Sequence, residues 1–247
     1  MERAASDTPG PIGPPPHLAG PRPGPGRGAR VWLARHAQVH EDWATRSYGP
    51  EDVPLSAEGE RRTVELGASL ARVAPDALLS SDLSRASRLA DVVTEHVDVP
   101  VQLDERLREV DRGDWRGLDI GELHATRTAE VGRFYDDPWT YDGHGGECDR
   151  DVAMRAWPVF EEALAGVDGG VLVLTAHYNV IRVLATVALG IPPERSFAFR
   201  LDKGRVTLLE DTDRGFRLIA HNLHDPGAFE HTDEYLGLNP AQSGPKH

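Results

Sequence analysis

The stretch that decides the fold of this 247-residue chain is VWLARH, residues 31–36, in which an apolar run stops at the basic pair Arg35-His36. A second apolar run, residues 171–174, ends close to His177. Apolar runs of this kind are typical of parallel strands that are covered on both faces. Because ligands in such folds bind beyond the carboxyl ends of the strands, we expect Arg35, His36 and His177 to lie there. Two imidazoles and a guanidinium at that edge indicate a site that handles phosphate.

Short apolar runs alternate with segments of helical period on either side of these two runs. Strands are predicted over residues 31–34, 77–79, 101–103 and 171–175. Helices are predicted over residues 57–73, 86–97, 151–165 and 179–189. A hairpin over residues 205–210 and 216–221 should close the domain. The alternation predicts an α/β fold of three layers, α/β/α, with a mostly parallel sheet and helices on both faces.

Local patterns add detail to two of these helices. Ser56 is the predicted N-cap of the first, whose buried stripe is expected at Val64, Ala68 and Ala71. Pro158 lies inside the third and should either kink it or mark a late start, because proline lacks the backbone N–H that the helix interior needs.

The composition narrows the classes of partner and compartment. A formal net charge of −13 argues against a nucleic acid or an anionic membrane, whose affinity depends on clustered Lys and Arg. No segment approaches the roughly 18 uninterrupted apolar residues of a membrane span. Residues 1–28 lack the apolar core of a secretory signal. The single cysteine, Cys148, cannot form a disulfide within the chain, so a cytoplasmic protein is expected.

Composition also divides the chain into three parts. Residues 1–29 are dominated by Pro and Gly and are predicted to form a disordered tail. Residues 30–224 carry the alternating pattern and are the predicted catalytic domain, with enough apolar residues for one core. Residues 225–247 are predicted to be a C-terminal tail.

Phosphoester chemistry needs residues of the kinds that these motifs supply. Arginines clamp a phosphate dianion through paired N–H donors. A histidine with one unprotonated ring nitrogen can attack phosphorus, and a carboxylic acid can protonate the leaving oxygen. The relevant motifs occur in this order: LARHA at residues 33–37, G-x-x-D-x-P-L-S-x-x-G at 49–59, SSDLSRA at 80–86, LRE with G-x-W-x-G at 107–117, GGEC at 145–148 and TAH at 175–177.

Together these motifs resemble those of the histidine phosphatase superfamily, in its phosphoglycerate mutase-like branch. The resemblance implies a phosphatase in which His36 attacks the phosphoryl group while Glu109 protonates the leaving oxygen. Water then hydrolyses the phosphohistidine. It also implies that Arg35, Arg85 and His177 hold the transferring oxygens, with His177 counted among the catalytic residues. Neither a metal nor another cofactor is implied, and the expected partner is a small phosphorylated metabolite.

The chain departs from the family pattern around this site. Asp42 stands where the family often has a phosphate-contacting Asn, so its carboxylate should be turned away, protonated or paired with Arg46. Tyr178 and Asn179 replace a Gly-Gly pair after the second histidine. Ala37 replaces a glycine. These departures predict a substrate unlike that of the common members.

Several assignments stay open at this stage. Asp111 or Asp114 could act in place of Glu109, Arg85 could pair with Asp82, and Cys148 is expected to be a buried small side chain. Specificity is expected in the loops at about residues 38–50 and 136–148. A set of aromatic residues could either face the substrate or pack in the core: His40, Trp43, Tyr48, Trp139, Tyr141 and His144. The alternative functions are a phosphoglycerate mutase-like phosphotransferase, a phosphoprotein phosphatase and a non-catalytic phosphate-binding module. A homodimer is also left open.

Overall fold

The computed structural model describes residues 28–229, and the structural statements below concern this range. The strands are β1 Arg30–Arg35, β2 Ala77–Ser80, β3 Val101–Leu103, β4 Val171–Ala176, β5 Val206–Thr212 and β6 Gly215–Leu223. The helices are α1 Ala57–Ala71, α2 Ser84–Thr94, α3 Ile120–Thr126, α4 Thr128–Asp136, α5 Asp149–Val167 and α6 Tyr178–Ala188. Most of the two predicted tails lies outside the described residues, at 1–27 and 230–247.

The sheet has six strands in the order β3-β2-β4-β1-β5-β6. Strands β1 to β4 pair in parallel, and the hairpin β5-β6 adds antiparallel to β1. Within β1, Val31 and Leu33 face a core shared with α5 and α6, whereas Trp32 and Ala34 face a core shared with α1 and α2. Since alternate residues of a strand point to opposite faces, both faces are covered. The predicted three-layer α/β/α fold is therefore confirmed.

The pairing of β1 with β4 positions the site. Arg35, the last residue of β1, is in register with Ala176, the last residue of β4. The His36 N–H donates to the Ala176 carbonyl at 3.1 Å, which continues the ladder by one residue. His36 and His177 therefore leave the sheet side by side at the carboxyl ends of the two central parallel strands.

Helix α1 begins as predicted, but only part of its predicted stripe is buried. The Ser56 hydroxyl caps the helix by accepting the Gly59 N–H at 3.0 Å. Of the predicted stripe, Val64 is 46% exposed, Ala68 is partly buried and Ala71 is buried. Leu66 and Leu70, which were not part of the prediction, are fully buried. Gly67 permits close packing on α2, because a Cβ there would lie 2.5 Å from a methyl carbon of Val92.

Two further helix predictions need correction. Helix α5 starts at Asp149, ahead of Pro158, and runs through the proline, so the late start is wrong. The buried neighbours Trp157, Val159 and Phe160 hold this segment against the sheet despite the missing N–H. Helices α3 and α4 were not predicted at all, because residues 120–136 are mostly polar and exposed.

Candidate active site

The two histidines form the centre of the site. Their ring centroids are 5.3 Å apart, and His36 and His177 are 1% and 0% exposed. They come from positions 141 residues apart in sequence (177 − 36), which the parallel pairing of β1 and β4 brings together.

The hydrogen bonds of His36 leave one ring nitrogen available for attack. Its Nδ1 lies 2.7 Å from the Ala37 carbonyl oxygen, which can only accept, so Nδ1 carries the proton. Burial, together with the charges of Arg85 and Arg35, lowers the pKa of His36 well below its ordinary value. The imidazole is therefore neutral near pH 7, and Nε2 holds a lone pair.

His177 is oriented by a hydrogen bond to a serine hydroxyl. Its Nε2 lies 2.9 Å from the Ser81 hydroxyl, which already accepts the Leu83 N–H at 3.3 Å. If the Ser81 hydroxyl donates its remaining hydrogen to Nε2, the His177 proton lies on Nδ1, the same tautomer as in His36. This buried Nδ1 has no hydrogen-bond partner among the described residues. Burial and the neighbouring Arg85 and His36 lower the pKa of His177 well below its ordinary value, so it is a neutral donor.

Two arginines supply positive charge beside these rings. Arg85 is fully buried and donates to the carbonyls of Glu51 and Gly49 at 2.7 and 2.9 Å, while Asp82 pairs with Arg108 instead. Arg35 donates to the Leu201 carbonyl. In both arginines Nε is buried without a hydrogen-bond partner in the described part of the chain. Burial lowers the pKa of each guanidinium, yet neither has a carboxylate within ion-pair distance among residues 28–229.

Glu109 places a carboxyl group at the same end of the sheet. It is 8% exposed, and its Oε1 accepts the Val110 N–H at 2.9 Å. Its Oε2 accepts the Asn179 N–H, at the start of α6, at 3.4 Å. The loop that carries Glu109 turns at Gly113, where φ is +49° and a Cβ would lie 2.2 Å from the His144 carbonyl. Only glycine fits this turn.

A cavity of about 280 Å³ is lined by Arg35 and Glu109, while the buried His36, His177 and Arg85 are not part of its lining. Glu109 is its only carboxylate among the described residues, whereas Asp111 and Asp114 are not part of the lining. The charged and polar lining consists of Arg35, Arg46, Ser47, Glu109, Arg112, His124, Asn179 and Lys203. The apolar and aromatic lining includes Tyr48, Val110, Trp115, Ile120, Leu123, Val131, Phe134, Tyr135, Tyr178 and Phe197. In a chain of formal net charge −13, this local excess of cations favours an anionic ligand.

The Asp42 carboxylate does not offset the positive charge of the cavity lining. Its side chain is 79% exposed and lies 3.3 Å from Nδ1 of His40. Arg46 contacts the backbone of this turn, since its Nε donates to the Asp42 carbonyl at 3.1 Å. Of the three arrangements considered for the Asp42 carboxylate, the structure shows the one in which it is turned away from the cavity.

The aromatic residues divide between the cavity and the core. Tyr48 lines the cavity and stacks near Arg85, with the guanidinium carbon 5.1 Å from the ring centroid. Trp139 packs against the core under α5 and α6. Tyr141 and His144 contact Trp115 in a separate aromatic cluster. Helices α3 and α4 form one wall of the cavity. The loop at residues 136–148, which was expected to determine specificity, does not line it.

The remaining candidates offer little chemistry. Burial raises the pKa of the Cys148 thiol to about 11, which suits the expected inert side chain. Within residues 28–229, no three His, Cys, Asp or Glu side chains converge as a metal site requires. None of the helices in that range has the length and apolar character to cross a bilayer.

Fold and site together define a class of protein: an α/β protein with a neutral histidine, a second histidine, one buried and one half-buried arginine, and a carboxyl group at one sheet edge. The chain belongs to the histidine phosphatase superfamily (branch 1), whose family model matches residues 31–224. The resemblance carried by the six motifs is therefore confirmed.

Individual relatives fall within the same superfamily fold. A glucosyl-3-phosphoglycerate phosphatase of Mycolicibacterium vanbaalenii is 34% identical over 171 residues, covering 66% of this chain and 75% of that protein. A probable phosphoglycerate mutase, GpmB, of Salmonella paratyphi C is 25% identical over 83% of this chain and 95% of its own length. The structure of a mycobacterial glucosyl-3-phosphoglycerate phosphatase in complex with VO3 superimposes with a TM-score of 0.72, at 30% identity, over 78% of this chain and 98% of that one.

Proposed function

We propose that the protein is a metal-independent phosphatase that hydrolyses a phosphomonoester of a small metabolite through a phosphohistidine on His36. The observation that supports this most strongly is the set of unused groups at the sheet edge. Nε2 of His36 is unprotonated and carries a free lone pair. Three buried N–H donors, on Arg35, Arg85 and His177, have no hydrogen-bond partner among the described residues. Since an unsatisfied buried donor is costly, such a cluster is expected where an anion binds.

The proposed reaction has two steps. In the first, His36 Nε2 forms a bond to phosphorus, the bond from phosphorus to the leaving oxygen breaks, and Glu109 transfers its proton to that oxygen. In the second, water attacks the phosphohistidine, Glu109 takes up a proton from the water, and the bond between phosphorus and Nε2 breaks. Arg35, Arg85 and His177 stabilise the charge on the equatorial oxygens in both steps.

The substrate class rests on the cavity and on the relatives. A space of about 280 Å³ suits a small molecule, and an aromatic wall beside a cationic floor suits a phosphorylated organic acid or sugar. The relatives named glucosyl-3-phosphoglycerate phosphatase support the same class. We further propose residues 30–224 as the catalytic unit and the cytoplasm as its compartment.

The experiment that tests this function is a phosphate-release screen. Purified protein is assayed at neutral pH, without added metal and with a chelator, against a panel of sugar phosphates, phosphoglycerates and nucleotides. The His36→Ala variant is the blank. The proposal predicts release from at least one metabolite and none from the variant. No release from any substrate, or equal release from the variant, would count against it.

A mutase is the second candidate, favoured by the similarity to the probable phosphoglycerate mutase GpmB. It would return the phosphoryl group from His36 to an organic acceptor instead of to water. Incubation with 3-phosphoglycerate separates the two functions, because a mutase forms 2-phosphoglycerate and a phosphatase forms free phosphate and glycerate.

A further inference from the structure

Arg112 is a buried cation that the proposed reaction does not use. It lies on the loop after Glu109, is 8% exposed and lines the cavity. One terminal nitrogen donates to the side-chain oxygen of Asn179 at 3.1 Å, and the guanidinium carbon lies 4.4 Å from the ring centroid of Phe134. The other terminal nitrogen is buried without a hydrogen-bond partner in the described structure.

The carboxylate that acts most strongly on Arg112, Asp149, is already paired with another arginine. Asp149 is bound by both terminal nitrogens of the fully buried Arg182, at 2.5 and 2.6 Å. No carboxylate within residues 28–229 forms an ion pair with Arg112. Burial lowers the pKa of Arg112 to about 10, a value at which it still carries its charge near pH 7. Arg112 thus lacks an ion-pair partner of its own in the wall of the cavity, and a bound anion would supply one.

Asn179 connects this cation to the proposed acid. Its side-chain oxygen accepts from Arg112 at 3.1 Å and from Arg182 at 3.2 Å, which fixes the amide so that its NH₂ group remains available as a donor. Its backbone N–H donates to Glu109. Because Glu109 serves the leaving oxygen in the proposed reaction, an anion bound by Arg112 would belong to the leaving group.

We propose that Arg112 and Asn179 form a subsite for a carboxylate on the leaving alcohol, so that the preferred substrates are phosphorylated hydroxy acids. This inference rests on the proposed phosphatase function. A planar guanidinium edge and an amide NH₂ group match the two coplanar oxygens of a carboxylate. The phosphate itself is bound separately, by Arg35, Arg85 and the histidines.

The test compares two substrates that differ only at the proposed contact. 3-Phosphoglycerate carries a carboxylate where glycerol 3-phosphate carries a hydroxymethyl group. The ratio of their kcat/KM values should exceed about 10 in the wild type, the factor expected from one charge-assisted hydrogen bond. Arg112→Met should lower this ratio at least tenfold, and Arg112→Lys, which keeps the charge, should retain part of it.

Arg62→Met is the matched control. Arg62 is also 8% exposed, but it lies outside the cavity lining and donates to the Gly204 carbonyl at 2.9 Å. The Arg62→Met variant should leave the ratio of the two kcat/KM values unchanged. A wild-type ratio near one, or an Arg112→Met variant that slows both substrates equally, would overturn the subsite.

A third substrate, p-nitrophenyl phosphate, distinguishes failure of the proposed subsite from failure of the proposed phosphatase function. If the wild type fails to hydrolyse it and both glycerol-based substrates, the proposed phosphatase function fails. If it hydrolyses all three without preferring the carboxylate, only the subsite fails. Because the wild-type ratio is measured on the native protein, the inference stays testable even if Arg112→Met does not fold.

Discussion

Replacing Glu109 with glutamine removes the proposed proton donor at nearly constant shape. The glutamine oxygen can keep the 2.9 Å bond from the Val110 N–H, and its NH₂ group then faces the Asn179 N–H at the 3.4 Å position. One weak hydrogen bond is lost, which costs about 1 kcal/mol of unfolding free energy. We therefore expect a folded variant whose unfolding midpoint is close to that of the wild type.

The kinetic effect should be larger and should depend on the leaving group. General acid catalysis contributes about 10²–10⁴-fold, and each tenfold corresponds to about 1.4 kcal/mol of barrier. Glu109→Gln should therefore raise the barrier for an alkyl phosphate by about 3–5 kcal/mol. p-Nitrophenyl phosphate should be affected far less, because nitrophenolate leaves without a proton. The assay is kcat/KM for both substrates, with wild type and variant compared under the same conditions.

Asp114→Asn is the matched control for this experiment. Asp114 lies on the same loop, is exposed and does not line the cavity. The Asp114→Asn variant should have kcat/KM values within about twofold of those of the wild type for both substrates. The reasoning is refuted if Glu109→Gln slows the two substrates equally, or if Asp114→Asn reproduces the selective loss on the alkyl phosphate.

Three further predictions follow from burial and charge. Arg85→Lys replaces a planar fork, whose separate nitrogens can reach two carbonyls and an anion, by a single ammonium at one point, so vanadate inhibition should weaken about 10–100-fold. An unchanged inhibition constant would contradict the role of Arg85. Leu66→Ala empties a fully buried position and should lower the unfolding free energy by about 2–5 kcal/mol in urea titrations, and a loss below 1 kcal/mol would show a looser core. Since the pKa values of His36 and His177 lie well below the ordinary histidine value of 6.5, unfolded chains bind more protons just below pH 6.5. Stability should therefore fall as pH drops below 6.5, by up to about 1.4 kcal/mol per pH unit for each histidine, and His36→Gln should reduce that slope.

The parts of the fold that could be predicted from sequence are those set by strong apolar runs. Strands β1 and β4 are buried on both faces, so their composition alone locates them and places His36 and His177 at one edge. The buried face of α1 was harder to predict from the sequence. Small residues and the buried polar residues Arg62 and Thr63 share its inner face, and this blurs the helical period.

The parts that could not be predicted depend on tertiary contacts. Helices α3 and α4 bury only Leu123, Val131 and Phe134, too few for a clear period, yet they form one wall of the cavity. Arg112 lies inside a family motif, between Glu109 and Gly113, but its burial without a counter-ion is visible only in the folded chain. Its position in that motif was the one available indication.

The central claim, that His36 carries the phosphoryl group, is tested most directly by trapping the intermediate. The enzyme is mixed with a ³²P-labelled phosphomonoester, quenched in base within milliseconds and digested. We predict label on the peptide that contains His36, stable in base and lost in acid, and no label in a His36→Asn variant. Label on another residue, or turnover by the wild type with no trapped phosphohistidine and undiminished turnover by His36→Asn, would contradict it.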